Sequence, residues 1–172
     1  MVPVSVLSSG RGGAADAPKS SSLRLRQGIV FLLGAGTLYG LERGPLDFFW
    51  TPLILGLAYL AAALIGGRRG GHWPTALVLI GWGLAVLLVQ RGLLDVNTAG
   101  AYLAGAGLGA LAAAAVDRAG FDADPLGVAA TVFAAGLLLA LTSRFPLLGQ
   151  VEIYCVALAA VGLVNVLLAL RR

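Results

Sequence analysis

Residues 151–170 read VEIYCVALAAVGLVNVLLAL, twenty consecutive positions in which Glu152 is the only charged residue. As an α-helix this stretch rises about 30 Å at ~1.5 Å per residue, the thickness of a bilayer's hydrocarbon core. Its apolar residues leave no polar face, and a helix that is hydrophobic all round belongs in a large protein core or in a membrane. Similar runs precede it at 28–41, 48–66, 73–89, 96–116 and 126–141. A chain of 172 residues has no core large enough to bury six such helices. The reading is therefore an all-α polytopic membrane protein with six transmembrane helices.

Composition agrees. Hydrophobic residues make up 59% and charged residues 12% of the chain, against about 25% charged in ordinary soluble domains, and the mean hydropathy is +0.91. The sequence pI is near 9.8, yet the basic residues are scattered among apolar segments and form no stripe, so nucleic acid is not an expected partner. One cysteine, Cys155, excludes an internal disulfide. Arginine outnumbers lysine eleven to one and Ala and Gly abound, a composition that suggests a GC-rich bacterial genome.

Residues 1–26, rich in Ser, Gly and Ala, read as a disordered cytoplasmic tail, and 27–172 as a six-helix transmembrane domain. The apolar run 28–41 ends in Tyr39-Gly40-Leu41-Glu42-Arg43, which is no small-x-small cleavage site, so it reads as a retained helix. With the N-terminus inside, the cytoplasmic segments hold nine of the twelve Lys and Arg residues and the outer loops three: Arg43, Arg91 and Arg144. This positive-inside bias places both termini in the cytoplasm of a bacterial cytoplasmic (inner) membrane.

The spans group as three helical-hairpin repeats, about 27–67, 72–117 and 125–171. Gly83 to Arg91 and Gly136 to Arg144 share a spacing of eight residues, and Gly36 to Arg43 is one shorter. A turn follows each arginine. These arginines end the outward helices, where a cation complements the helix dipole, and Asp47, Asp95 and Glu152 stand near the starts of the inward ones, where an anion does. Asp124-Pro125 reads as an N-cap followed by Pro at the first helical position.

Little polar chemistry remains. His72, the only histidine, reads as a solvated loop residue, with no partners for a metal. Gly105-Ala-Gly-Leu-Gly109 resembles part of a nucleotide fingerprint, but no strand precedes it. Gly105 and Gly109 read instead as helix-packing glycines, with homodimerisation through that face as the lesser version. All eight carboxylates lie in tails, loops or helix ends, which argues against an ion-coupled transporter. Asn165 is the one strongly polar residue deep in a span, a candidate interhelical or pore-lining group. Arg43, Arg91 and Arg144 are candidate lipid-headgroup contacts. No catalytic set is present, so neither an enzyme nor a cofactor is expected.

The segments 34–66, 81–116 and 136–170, each a glycine-bearing helix, a short outer turn and a small-residue-rich helix, resemble the HdeD family of small bacterial membrane proteins. The second turn, Arg91-Gly-Leu-Leu-Asp95, lacks the proline of the other two. The resemblance implies a six-helix protein linked to acid stress, with no catalytic residue to carry over. The expected function is accordingly a non-enzymatic membrane protein with an envelope-stress or accessory-subunit role. Two alternatives stay open. One is a small channel or uncoupled facilitator lined by residues such as Thr131, Thr142 and Asn165. The other is a lipid- or cofactor-handling subunit of a larger complex. Expected partners are membrane lipids, other membrane-protein subunits or further copies of the chain.

Overall fold

In the computed structural model of the protein, residues 21–44, 47–142 and 145–171 are described, apart from the side chains of 42, 138–142 and 149. They form six α-helices: α1 Ser21–Glu42, α2 Thr51–Gly66, α3 Trp73–Gln90, α4 Thr98–Arg118, α5 Pro125–Thr142 and α6 Val151–Leu170. No strand occurs among the described residues. Four helical segments are long and apolar enough to cross a membrane: Phe48–Arg69, Trp73–Gln90, Thr98–Arg118 and Val151–Leu170. Helix α1 starts at Ser21, inside the stretch read as a tail and about two turns before the apolar run that begins at Gly28.

Local chemistry sets the helix ends. Pro52 and Pro74 occupy the first turns of α2 and α3, where the missing N–H has no intrahelical partner to lose. The Asn97 side chain accepts a hydrogen bond from the Gly100 amide at 2.9 Å and caps α4. Asp124 accepts from the Leu126 amide at 3.2 Å at the start of α5. Only Glu152 of the expected acids lies in a first turn. Asp47 precedes the short 3-10 turn Phe48–Trp50, and Asp95 lies in the loop before Asn97, so Asn97 does the capping expected of an acid. Helix α3 stops at Gly92, whose φ of 67° lets the Leu93 amide reach back to the Leu88 carbonyl at 2.9 Å.

Small residues carry the packing and large ones face outward. The buried positions of α4 are Gly105, Gly109 and Ala113, whereas Leu103, Leu108 and Leu111 are exposed. On α6 the buried set is Cys155, Leu158, Gly162 and Ala169, and Val156, Leu163, Val164 and Leu170 point away. A soluble protein reverses this arrangement. Lipid tails are as apolar as leucine, so helices in a bilayer associate through close van der Waals contact at small residues.

Backbones meet at these positions. A Cβ on Gly105 would lie 2.6 Å from the Gly81 carbonyl oxygen, and one on Gly109 would lie 2.7 Å from Val78 Cα, which joins α3 to α4. On the opposite face of α3, a Cβ on Gly83 would lie 2.6 Å from the Leu53 amide of α2. Gly28 of α1 and Gly162 of α6 make the same kind of contact, each within 3 Å of the other's carbonyl oxygen once a Cβ is added. Phe31, Leu38, Ala58, Ala62, Cys155 and Leu158 fill the core among α1, α2 and α6.

Helix order in space is thus α6–α1–α2–α3–α4, with α5 laid against α3. The first turns of α1 lie against the last turns of α6 through Gly28 and Val166, so the two ends of the helical region share one end of the bundle. Adjacent helices α1 and α2 pack together, as do α3 and α4. Helices α5 and α6 are connected but do not pack along each other among the described residues. The only glycine of α6 is taken by Gly28 of α1, and Gly136 of α5 has nothing within 4 Å of an added Cβ.

Two glycines on α4 test this packing. Gly107→Ala faces open space and should stabilise the protein by roughly 0.5–1 kcal/mol through backbone entropy. Gly105→Ala should destabilise by about 1–3 kcal/mol through overpacking. Reversible unfolding in mixed micelles measures both, and shifts of the same sign would contradict the contact.

Candidate functional site

The separation of α5 from α6 leaves a cavity of about 520 Å³ bordered by α2, α3, α5 and α6. Its walls come from Tyr59, Leu79, Trp82, Ala134, Tyr154 and Ala157 among others, and among the described residues no Asp, Glu, Lys, Arg or His lines it. Along α3 it reaches from Thr75 to Gln90, about 22 Å at ~1.5 Å per residue. Among the described residues α5 and α6 do not pack along each other beside it.

Each wall has a local cause. Helix α5 is held to α3 by the Thr75 and Thr131 hydroxyls, 3.2 Å apart, and by Gly127, which admits the Pro74 ring. Thr131 also donates to the Gly127 carbonyl at 2.8 Å. Three alanines, Ala130, Ala134 and Ala135, form the α5 wall, too short to reach α6. At one end, Phe48 packs on Tyr154 with ring centroids 5.8 Å apart. There Tyr154 donates to the Leu148 carbonyl at 2.8 Å, and Gln90 donates to the Tyr102 hydroxyl at 3.2 Å.

Trp82 lines the cavity with its ring, while its indole Nε1 is itself buried and has no hydrogen-bond partner among the described residues. Leaving a buried donor unmade costs about 1–3 kcal/mol. Sequence reading missed Trp82, because a tryptophan within an apolar helix resembles packing until its N–H is placed.

The residues singled out from sequence are dispersed. Gly105 and Gly109 lie in the α3–α4 contact. Asn165 is half-buried and donates to the Val161 carbonyl of its own helix at 2.9 Å; it does not line the cavity. Arg43 is exposed, donates to the Tyr39 hydroxyl and lies over that ring, 4.5 Å from its centroid. Arg91 is exposed and sits 5.6 Å from the centroid of Trp50. Arg144 and the side chain of Thr142 lie outside the described residues. Thr131 lines the cavity but spends its hydroxyl on Thr75 and Gly127.

His72 departs from its reading as a solvated loop residue. Its ring is half-buried, 5.4 Å from Phe31 and 5.9 Å from Tyr59 between centroids. The loop doubles back at Gly67 and Gly71, both at positive φ, and Trp73 Nε1 pins it by donating to the Gly67 carbonyl at 2.9 Å. Sequence also gave no sign of Gln27, fully buried and donating to the Ala62 carbonyl at 3.1 Å across α1 and α2. Among the described residues, no group of three His, Cys, Asp or Glu is placed to hold a metal ion.

Fold and cavity together define a class: an all-helical, membrane-type protein with an apolar cavity between its helices. No known protein family, curated protein or solved structure matches the chain.

Filling the cavity discriminates open from packed space. Ala134→Phe, which lines the cavity, should leave stability unchanged or raise it. Ala62→Phe, at a position with no exposure, should destabilise by about 1–3 kcal/mol or more. Thermal unfolding in detergent compares them; equal losses would mean the Ala134 wall has no room behind it.

Proposed function

We propose that this chain is a non-enzymatic, six-crossing protein of the bacterial cytoplasmic membrane that holds a lipid-like molecule between α5 and α6. The observation that carries the reading is the cavity itself. Its volume of about 520 Å³ falls within the ~300–1,000 Å³ of ordinary ligand pockets. Its lining among the described residues is mostly apolar and aromatic. Water gains nothing in such a space, whereas a hydrocarbon chain entering from the bilayer crosses no polar barrier.

Six crossings add α1 and α5 to the four membrane-length segments. Helix α1 exposes Ile29, Leu32 and Leu33, and α5 is apolar over Pro125–Leu137. With both ends of the bundle's chain in the cytoplasm, the arginine excess falls inside, as the positive-inside bias requires. The likeness to HdeD proteins fits this architecture and supplies the envelope-stress context in which a lipid-holding or accessory subunit would act. Arg43 and Arg91 then lie at the outer interface as aromatic-stacked anchors within reach of headgroups. A channel has less behind it, since Thr131 and Asn165 are engaged within the protein.

Two experiments bear on this reading. In a Cys155→Ala background, Asp95→Cys should react with an impermeant maleimide on intact cells, and Asp122→Cys only after permeabilisation; the reverse order would overturn the orientation. Native mass spectrometry of protein released in mild detergent should show one lipid-sized adduct per chain, lost in Ala134→Trp. An adduct unchanged by that substitution would place the lipid elsewhere.

A further inference from the structure

The two ends of the cavity differ, and the difference gives an occupant a direction. Resting on the cavity reading above, we propose that the cavity takes a long-chain amphiphile with an anionic oxygen head, carboxylate or phosphate. Arg91 and the Gln90–Tyr102 pair hold the head at one end, and the alkyl chain runs toward Thr75.

At the Thr75 end the hydroxyls are already engaged. Thr75 and Thr131 lie 3.2 Å apart, and Thr131 donates to the Gly127 carbonyl. At the Gln90 end donors are left over. Gln90 Nε2 gives one N–H to the Tyr102 hydroxyl at 3.2 Å. A hydroxyl that accepts still has its own proton to donate, and an amide nitrogen has a second N–H. Neither of these finds an acceptor among the described residues. Both side chains line the cavity, and Gln90 is exposed.

Arg91 adds charge to the same end. Its guanidinium carbon lies 5.6 Å from the Trp50 ring centroid, so the side chain bridges α3 to the turn Phe48–Trp50. The residues beside that bridge border the cavity on both elements: Gln90 precedes Arg91, and Phe49 and Thr51 flank Trp50. Arg91 is exposed and makes no ion pair among the described residues, although Asp95 follows four positions later. Its planar fork of N–H groups suits a carboxylate or phosphate bidentately. The negative end of the α3 dipole lies here too, and Arg91 offsets it. Charge complementarity therefore seats an anion at this end and leaves the hydrocarbon walls, such as Leu79, Val86 and Ala134, to the chain. From Gln90 to Thr75 the space follows α3 for about 22 Å at ~1.5 Å per residue, room for an extended alkyl chain crossing more than half of a ~30 Å hydrocarbon core.

The test uses the full chain in phosphatidylcholine nanodiscs, with hexadecyl phosphate and hexadecan-1-ol as probes, each carrying a photoreactive diazirine at the tail end. Titrated photolabelling read by peptide mass spectrometry gives both affinity and direction. In wild type both tails should label the α3 and α5 segments around Thr75 and Thr131, and the phosphate should bind about threefold to fivefold more tightly than the alcohol. Arg91→Gln, at an exposed position, should bind the two alike, and Arg91→Lys should recover part of the difference. Arg43→Gln, which removes an exposed arginine stacked on Tyr39 of its own helix, should keep the preference. Ala134→Trp should lose the labelling by both probes. Equal binding by wild type, an undiminished preference in Arg91→Gln, or tail labelling at Gln90 and Tyr102 overturns the head-group proposal and leaves the cavity reading intact. Full competition by inorganic phosphate assigns Arg91 to the free ion and overturns it as well. Labelling by neither probe in wild type, or labelling unchanged in Ala134→Trp, overturns the cavity reading with it.

Discussion

Contact between helix backbones at glycine is the constraint on which the rest of this structure depends. In a bilayer there is no hydrophobic gain in bringing leucines together, so helices stay paired only where side chains are small enough for main-chain atoms to touch. Gly81 and Gly83 are two residues apart on α3, about 200° around a helix of 3.6 residues per turn. One faces α4 at Gly105 and Gly109, and the other faces α2 at Leu53. That pair makes α3 the centre of the bundle, clamped on both sides at the same level.

The same rule accounts for the opening in the wall. Helix α6 has a single glycine, Gly162, and it is matched to Gly28 of α1, which ties the last helix to the first. Helix α5 has Gly127 against Pro74 of α3 and Gly136 against nothing. No glycine contact joins α5 to α6 among the described residues, although a short connection makes them neighbours in sequence. The space between them is lined by α5 alanines on one side and by Tyr154, Ala157 and Leu158 on the other. A cavity here is a consequence of how the glycines are distributed.

Buried polar side chains were the least legible part of the chain. Gln27 opens the transmembrane region beside a serine- and arginine-rich stretch, and nothing along the chain marks it as buried until α2 supplies the Ala62 carbonyl. His72 looked like a loop residue because it stands between two glycines and a Trp-Pro pair, yet Gly67 and Gly71, both at positive φ, turn the loop so that its ring meets Phe31 and Tyr59. Asn165 had the opposite fate. Its depth in α6 suggested a partner on another helix, and its amide is used by the Val161 carbonyl four residues earlier. A side chain's partner is a fact about three-dimensional proximity, and spacing along one helix reveals it only when the partner is local.

Sequence by itself determined the helices, their membrane-length apolar runs and several of their ends, because hydropathy, proline, glycine and capping residues act over a few positions. Tertiary structure alone decided which helices touch: α6 returns to α1, and α5 leans on α3. Pairing depends on small residues meeting at the same depth on different helices, a condition that no single run of sequence contains. The cavity follows from those pairings.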